Sequence, residues 1–320
     1  MKKSFFLKIS LLLCLLAIAV AAGVTLGAVR IPVAELLSPD NRPIFFLRLA
    51  RVTLALVAGC GLSAAGIALQ AVLRNPLAEP YLLGTSSGAG LGAVIALLAG
   101  ISGLPLPVAA FLGALVSIAL VYRLARQGST VPLQSLILSG VIVSIALSAI
   151  MLFLISVSAN ESMHSEIWWL WGSLNIYDMR LLLVVAVLVA AGTAALYVFS
   201  RELNAISLGE EEAMHLGIET ERLKKIVFVL TSLVTAAIVC VCGTIGFVGL
   251  IIPHAMRMLV GPDHRTLIPV SCVAGGIFLI FCDLVARTLF APMEIPIGVI
   301  TAVIGAPLFI ILLKSRSKRV

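Results

Sequence analysis

The sequence of 320 residues has little charge: Asp, Glu, Lys and Arg make up 12% of it, against roughly 25% in a soluble domain. Hydrophobic residues make up 61%. A soluble protein of this length would need a charged surface that 22 basic and 15 acidic side chains cannot provide. The shortage of charge therefore excludes soluble globular classes and predicts an all-α integral membrane protein.

Signatures of catalysis and metal binding are also missing from the sequence. None of the seven lysines follows a glycine, so the chain lacks the Gly-Lys-Ser/Thr of a Walker A loop, and we expect any ATP hydrolysis to belong to a partner. All six cysteines lie in apolar stretches, where a thiol behaves as a small hydrophobe. No nucleophile and base can be paired for an intramembrane enzyme. We therefore predict no catalytic residue, no metal site and no cofactor.

Apolar windows locate the membrane crossings, each of which needs about 20 residues of helix. Eight windows contain no Asp, Glu, Lys or Arg, and one of 43 residues is divided in two because glycine and proline interrupt its middle. Nine helices are therefore predicted, two of them within the 43-residue window Pro80–Tyr122. The other seven windows are Ile9–Val29, Val52–Leu73, Gln127–Asn160, Leu181–Ser200, Ile226–Met256, Thr266–Cys282 and Ile295–Leu313.

The basic residues indicate a tenth crossing. Both termini are basic and favour the cytoplasm, which requires an even number of crossings. A return between about Gly243 and Val260 also brings the basic loop with Arg257 and Arg265 to the cytoplasm. Because that stretch is short and rich in glycine, we expect part of it to be irregular backbone that is buried in protein or lines a cavity. The net charge of +7 is then explained by the orientation of the chain in the membrane, and nucleic-acid binding is not needed to explain it.

The loop from about 201 to 225 is the longest that this topology places in the cytoplasm. From Ser207 it continues Ser-Leu-Gly-Glu-Glu-Glu-Ala-Met-His-Leu-Gly, in which three glutamates favour a helix N-terminus and a glycine follows as a stop. The pattern predicts a short amphipathic helix. An ordinary solvated connector and a docking helix for a cytosolic partner are both compatible with it.

Two patterns inside the helices concern packing. Asp283 is the nearest approach to an intramembrane acid, and Arg287, one turn later, is its expected partner. Small residues recur from Gly59 to Gly66, which predicts close helix contacts in a packed bundle.

With these segments in view, the sequence resembles a permease of the FecCD family, the membrane subunit of ABC importers for iron chelates, haem and cobalamin. The resemblance spans nearly the whole chain. It rests on five segments in register: Arg48–Arg51, Leu69–Gly84, Ser207–Gly217, Gly243–Arg257 and Glu294–Phe309.

The resemblance implies a single permease domain over residues 1–320, a ten-transmembrane-helix bundle of the type II ABC importer kind. It also implies two cytosolic ABC ATPase subunits, an extracytoplasmic substrate-binding protein and a second permease subunit, which is either an identical copy or a paralogue. The protein would lie in the lipid of the cell (inner or cytoplasmic) membrane as a multi-pass chain with both termini in the cytoplasm.

Three groups of site residues follow from the resemblance. The acidic helix in the 201–225 loop would be the coupling element that fits the ATPase, and three arginines would meet acidic residues of the binding protein. Two turns would narrow the cytoplasmic exit as gates. The coupling residues are Gly209, Glu210, Glu211, Glu212, Ala213, Leu216 and Gly217, the docking residues are Arg48, Arg51 and Arg287, and the gate candidates are Asn75, Leu77, Ser129 and Thr130.

The cargo that the resemblance favours is a ferric siderophore, followed by haem or cobalamin. A secondary transporter or channel that acts alone is an alternative that composition and the number of crossings allow equally well. The cytoplasmic loop and the lack of a buried carboxylate relay favour the importer.

Overall fold

The structure of the protein is a computed structural model that describes residues 2–128, 130–158, 168–176 and 178–317. In these ranges it has twelve α-helices and two short 3-10 helices, so the predicted all-α fold is confirmed. The α-helices are α1 (Lys2–Thr25), α2 (Arg42–Val72), α3 (Thr85–Leu98), α4 (Pro105–Ala125), α5 (Leu133–Val157), α6 (Met179–Val198), α7 (Ser200–Ile206), α8 (Glu210–His215), α9 (Thr220–Cys242), α10 (Val248–Val260), α11 (His264–Thr288) and α12 (Ile297–Ser317). The 3-10 helices are Val33–Glu35 and Pro80–Leu83.

Seven helices among the described residues are long and apolar enough to cross a membrane: α1, α2, α4, α5, α6, α9 and α11. Three shorter apolar helices, α3, α10 and α12, occupy the other predicted crossings. These ten helices coincide with the ten segments expected from the sequence. That all ten span the bilayer stays a prediction.

Helices α2 and α11 extend past their predicted windows into charged sequence. The windows began at Val52 and ended at Cys282 because a charged side chain marked each limit, whereas α2 begins at Arg42 and α11 ends at Thr288. In the added turns, Asp283 pairs with both Arg51 and Arg287, so these charges do not end the helices. Windows without charged residues therefore underestimate the length of helices whose charges pair with one another.

The predicted irregular segment is shorter than expected. Part of the stretch between Gly243 and Val260 was expected to be irregular, and the FecCD-like segment suggested that this part reached His254. Only residues 243–247 are irregular, and α10 begins at Val248. Phe247 has a positive φ of 71°. The turn is buried against the 73–84 segment, where the Glu79 carboxylate accepts the Phe247 N–H at 2.7 Å and the Tyr81 hydroxyl accepts the Ile245 N–H at 3.2 Å. Backbone polar groups are thus satisfied by protein, as irregular backbone inside a membrane protein requires.

Helix α2 lies at the centre of the bundle and packs against α6, α9, α10 and α11. A β-carbon at Gly59 would collide with the backbone of Gly275 in α11, and one at Gly66 would collide with the backbone of Gly249 in α10. The predicted close packing of the small residues is confirmed. Helix α1 is at the other extreme, since only 6% of its apolar window is buried.

The two ends of the bundle carry different contacts. The arginine face is the end where α1 stops and α2 begins, and it contains Arg48, Arg51 and Arg287. The coupling face is the opposite end, where α7, α8 and the first turn of α9 meet. The Lys8 ammonium donates to the Leu259 carbonyl at 2.7 Å, which joins the first turns of α1 to the end of α10.

Candidate functional site

Two of the three predicted docking arginines donate hydrogen bonds to carbonyls at the C-terminal end of α1. Arg48 donates to the carbonyls of Val24, Thr25 and Val29, the last two at 2.7 and 2.6 Å. Arg287 donates to the Gly23 carbonyl. The last carbonyls of a helix have no partner within the helix and carry partial negative charge, so guanidinium groups satisfy them well.

The third arginine lies in an ion-pair network. Arg51 contacts the Asp283 carboxylate at 2.6 Å and the Glu294 carboxylate at 2.9 Å. Asp283 also lies 3.2 Å from Arg287, which confirms the pair expected from the sequence. Asn175 completes the network by donating to Glu294 at 3.4 Å.

Residues of α2, α11 and the segment before α12 line a cavity of about 370 Å³ beside this network. Arg48 and Arg287 are buried, with 5% and 3% of their surface exposed, so the three arginines lie within the bundle wall instead of projecting from it. Glu294 is the most open of the four charged residues in the network, since 33% of its side chain is exposed. Docking through the arginines stays a prediction, and it would take place at this cavity.

The predicted coupling helix is present as α8. Ala213 is fully buried, and the helix ends where the N–H of Gly217, in the left-handed conformation with φ 79°, donates to the Met214 carbonyl at 2.9 Å. Around this anchor the apolar side chains of Leu208, Met214 and Leu216 are exposed by 74%, 54% and 67%. The expected short helix is therefore present with apolar groups exposed beside it, and its role in coupling stays a prediction. Gly209 precedes the helix and leaves room for the Glu212 side chain, while Glu211 is exposed.

One member of the acidic run is tied to the protein. Glu210 contacts Lys224 at 2.6 Å, and Lys224 contacts Glu221 at 2.7 Å, both through the lysine ammonium. Lys224 itself is buried. Glu221 accepts the N–H of Val131 at 3.2 Å with its second oxygen. Glu210 therefore anchors α8, and the other two glutamates are the ones that can meet a partner.

Helix α7 connects this unit to the rest of the coupling face. Asn204 donates to Asp263 at 2.8 Å and accepts the His264 N–H at 2.9 Å. The Asn204 amide, with the N–H of Arg265, holds the pKa of Asp263 below its usual range. The start of α11 is thus capped by Asp263 and joined to α7.

Beside α8 there is a cavity of about 870 Å³ that is open at the coupling face. Leu208 and Leu216 form part of its wall, together with the arginines at 74, 201 and 257. The cavity and the exposed side of α8 form one continuous surface that combines apolar and basic groups.

The gate candidates lie in two turns. In the first, Asn75 accepts the Leu77 N–H at 2.9 Å, and Leu77 is 46% exposed. In the second, Thr130 and Gln127 exchange backbone hydrogen bonds at 3.0 and 3.2 Å, and Thr130 is exposed. Ser129 lies outside the described residues. Both turns belong to the coupling face, and their role as gates stays a prediction.

Several residues of these sites were missed by the sequence interpretation. Glu221 and Lys224 are three apart on a helix, a spacing typical of ion pairs, so this pair could have been found. Glu294 lay inside a segment that was noticed for its resemblance alone. The partners of Glu79 and Asn175 are distant in sequence, so no local pattern indicates these two residues.

Comparison with known proteins gives concordant matches. The model of the FecCD transport family matches residues 14–315. The cobalamin import system permease protein BtuC of Halobacterium salinarum is 43% identical over 277 residues, which cover 85% of this chain and 73% of that protein. The hemin transport system permease protein HmuU of Yersinia pestis is 34% identical over 325 residues, which cover 98% and 97%.

A solved structure is similar over nearly the whole chain. It is an inward-facing conformation of a metal-chelate type ABC transporter, with 36% sequence identity and a TM-score of 0.88. The match covers 95% of this chain and 97% of that chain.

Proposed function

Because the chain belongs to the FecCD transport family, whose members are permeases of ABC importers, we propose that it forms the membrane path for a ferric siderophore, with haem or cobalamin as the next candidates. The observation that best supports this proposal is that helix α8 is anchored by the buried Ala213 and has exposed apolar side chains on the coupling face. A chain without a Walker A loop needs such a surface if an ATPase is to drive it.

The proposed assembly contains two copies of a cytosolic ATPase, an extracytoplasmic binding protein and a second permease subunit, identical or paralogous. In it, ATP binding closes the ATPases and displaces the α8 helices, and the helices around the path rearrange to give alternating access. The surface formed by α8 and the adjacent cavity offers apolar contact area with basic groups at its edge, which suits a protein partner.

The arginine face is the proposed docking site of the binding protein. Arg48, Arg51 and Arg287 contribute three positive charges, and Asp283 and Glu294 contribute two negative charges, which leaves the cluster at +1. A positive cavity would attract acidic side chains and fix their register more than it would add affinity.

The proposed orientation places the coupling face in the cytoplasm of a cell that carries the protein in its inner or cytoplasmic membrane. Asn75, Leu77 and Thr130 then lie at the cytoplasmic exit, in agreement with a gate there. Both termini would lie on this side, and the contact of Lys8 with α10 supports that placement.

The test is reconstitution in vesicles with the cognate ATPase and binding protein and a labelled ferric siderophore, haem or cobalamin. We expect uptake that needs ATP and the binding protein. Uptake that persisted without ATP or the ATPase would instead indicate a transporter or channel that acts alone. Replacement of Glu210, Glu211 and Glu212 together with Leu216 should abolish ATP-driven uptake, and unchanged uptake would contradict the coupling role.

A further inference from the structure

We propose that Lys224 is a positioning residue that ties the coupling helix α8 to Val131, so that displacement of α8 moves the adjacent gate candidate Thr130. This inference rests on the proposed function, because it assumes that the ATPases act on α8. It identifies a chain of contacts through which α8 could move the gate candidate Thr130.

The route consists of three consecutive contacts. The Glu210 carboxylate on α8 lies 2.6 Å from the Lys224 ammonium, which lies 2.7 Å from one oxygen of Glu221. The other oxygen of Glu221 accepts the N–H of Val131 at 3.2 Å. Val131 directly follows Thr130 in the chain. A single ammonium thus joins an element that faces the partner to the backbone beside the gate candidate.

Burial makes this connection stiff. Only 4% of the Lys224 side chain is exposed, and a buried ammonium whose carboxylate moves away loses the partner that compensates its desolvation. Lys224 is therefore expected to follow Glu210. Apolar packing acts in the same direction, since Ala213 of α8 and Val131 belong to one buried cluster with Leu223. Coupling between sites requires such a contiguous network, and this one has named members.

The neighbouring charges do not offer the same connection. Lys225 is exposed, and Arg222 lies 3.9 Å from Glu219 in a pair whose side chains are both about three-quarters exposed (74% and 76%). Exposed pairs of this kind contribute little and do not restrain the elements that they join. Among the charged residues that open α9, Lys224 is the one held by two carboxylates.

The experiment measures cargo imported per ATP hydrolysed by the complete reconstituted importer. For Lys224→Met we expect ATP hydrolysis within about twofold of the wild type, because the exposed surface of α8 is intact, and uptake lowered by about fivefold or more. The matched control is Lys225→Met, which removes the same charge one position away and should leave the ratio unchanged. Lys224→Arg should restore most of the ratio, since a guanidinium can also bridge two carboxylates.

Two variants separate a transmitting role from a merely structural one. Glu210→Gln weakens the contact with α8, and Glu221→Leu removes the contacts of Glu221 with both Lys224 and Val131 and leaves the Glu210–Lys224 pair in place. Both should lower the ratio of uptake to hydrolysis, whatever they do to thermal stability. Glu221→Leu also serves if Lys224→Met does not accumulate in the membrane, because Glu221 is half-buried and easier to replace.

The outcomes are distinguishable. If the wild-type complex shows no ATP-driven uptake, the proposed function fails and this inference fails with it. If the wild type is normal and Lys224→Met has the same ratio as Lys225→Met, the inference alone is overturned. A parallel loss of hydrolysis and uptake in Lys224→Met also overturns it, since that result would place Lys224 in the attachment of the ATPase.

Discussion

Buried charge at the arginine face is arranged so that each guanidinium has a carboxylate or a helix-end carbonyl beside it. Asp283, with 1% of its side chain exposed, serves both Arg51 and Arg287, and removal of one partner of such a pair typically costs about 3–5 kcal/mol of stability. Glu294 differs because it is partly open to solvent. A carboxylate from outside can reach Arg51 most readily by replacing Glu294.

We therefore expect Glu294→Gln to strengthen docking of the binding protein, by roughly threefold and mainly through faster association, because the cluster changes from +1 to +2 and Arg51 loses a competing carboxylate. Surface plasmon resonance with the permease in nanodiscs measures this effect, which should shrink at high salt. The control is Glu35→Gln, which makes the same change in charge at an exposed acid in the 3-10 helix between α1 and α2. Equal effects of the two variants would contradict a specific role for Glu294.

Helix α2 shows how a central helix is built from small residues. Its glycines let the backbones of α10 and α11 approach so closely that a single added β-carbon would not fit. In a membrane, where lipid is as apolar as the side chains, association depends on such contacts more than on burial of apolar area.

Gly59→Ala should accordingly destabilise the bundle by about 1–3 kcal/mol, the usual cost of overpacking. The new methyl group would meet the backbone of Gly275, which cannot move aside as a side chain would. Gly246→Ala is the comparison, because its methyl group would lie 3.7 Å from the nearest atom of Glu79, an ordinary contact. Thermal unfolding in detergent should show a lower midpoint for Gly59→Ala alone, and equal midpoints would refute the packing argument.

Helix α8 is short, and its position depends on what holds it rather than on its own stability. Helices of this length are unstable in isolation, so Ala213, Glu210 and the Gly217 turn have to fix it. This arrangement leaves Leu216 free to contact a partner.

Leu216→Asp should weaken binding of the ATPase by about tenfold, the effect of losing one apolar anchor of an interface. Leu37→Asp provides a closely matched control, since both leucines are 67% exposed and Leu37 lies on the opposite, arginine face. Pull-down of the ATPase by the two variants measures the difference. An equal loss for both would mean that the effect is general damage to the bundle, and no loss for either would contradict docking at α8.

The distribution of basic residues over the sequence predicts its orientation in the membrane. Sixteen of the 22 basic residues fall on the side that we assign to the cytoplasm, and the coupling face is on that side. The tenth crossing is the decisive element of this topology. The structure places Arg257 in α10 and Arg265 in α11, on either side of the short turn at 261–263, and not in a loop as the sequence suggested. Without α10 crossing the membrane, this turn and the two arginines would lie on the same side as the arginine face.

Fusions to alkaline phosphatase, which is active only outside the cytoplasm, test this arrangement. We expect activity for a fusion after Gly243 and none for a fusion after Gly261 or after Val320, while a fusion after Pro292 should be active. Green fluorescent protein fused at the same four positions should give the reciprocal pattern. Equal activity after Gly243 and Gly261 would eliminate the tenth crossing and the cytoplasmic C-terminus together.

Much of this protein can be predicted from the sequence, because the forces concerned are local. Hydrophobic length marks the apolar helices, lysines and arginines indicate the orientation, and Glu210 to Gly217 carries its own helix start and stop. Asp283 and Arg287 could be paired because they are four apart on one helix. The small residues of α2 predicted close packing without naming the partners.

The long-range contacts required the fold. Arg51 meets Asp283 and Glu294 more than 230 positions away, Glu79 meets Phe247 across 168 positions, and Lys224 reaches Val131 through Glu221. No periodicity records which helix lies beside which, since a lipid-facing and a protein-facing apolar residue look the same in sequence. The ends of α2 and α11 were misplaced for the same reason: a charge appears to end a membrane helix until the packing of the helices supplies its counter-charge.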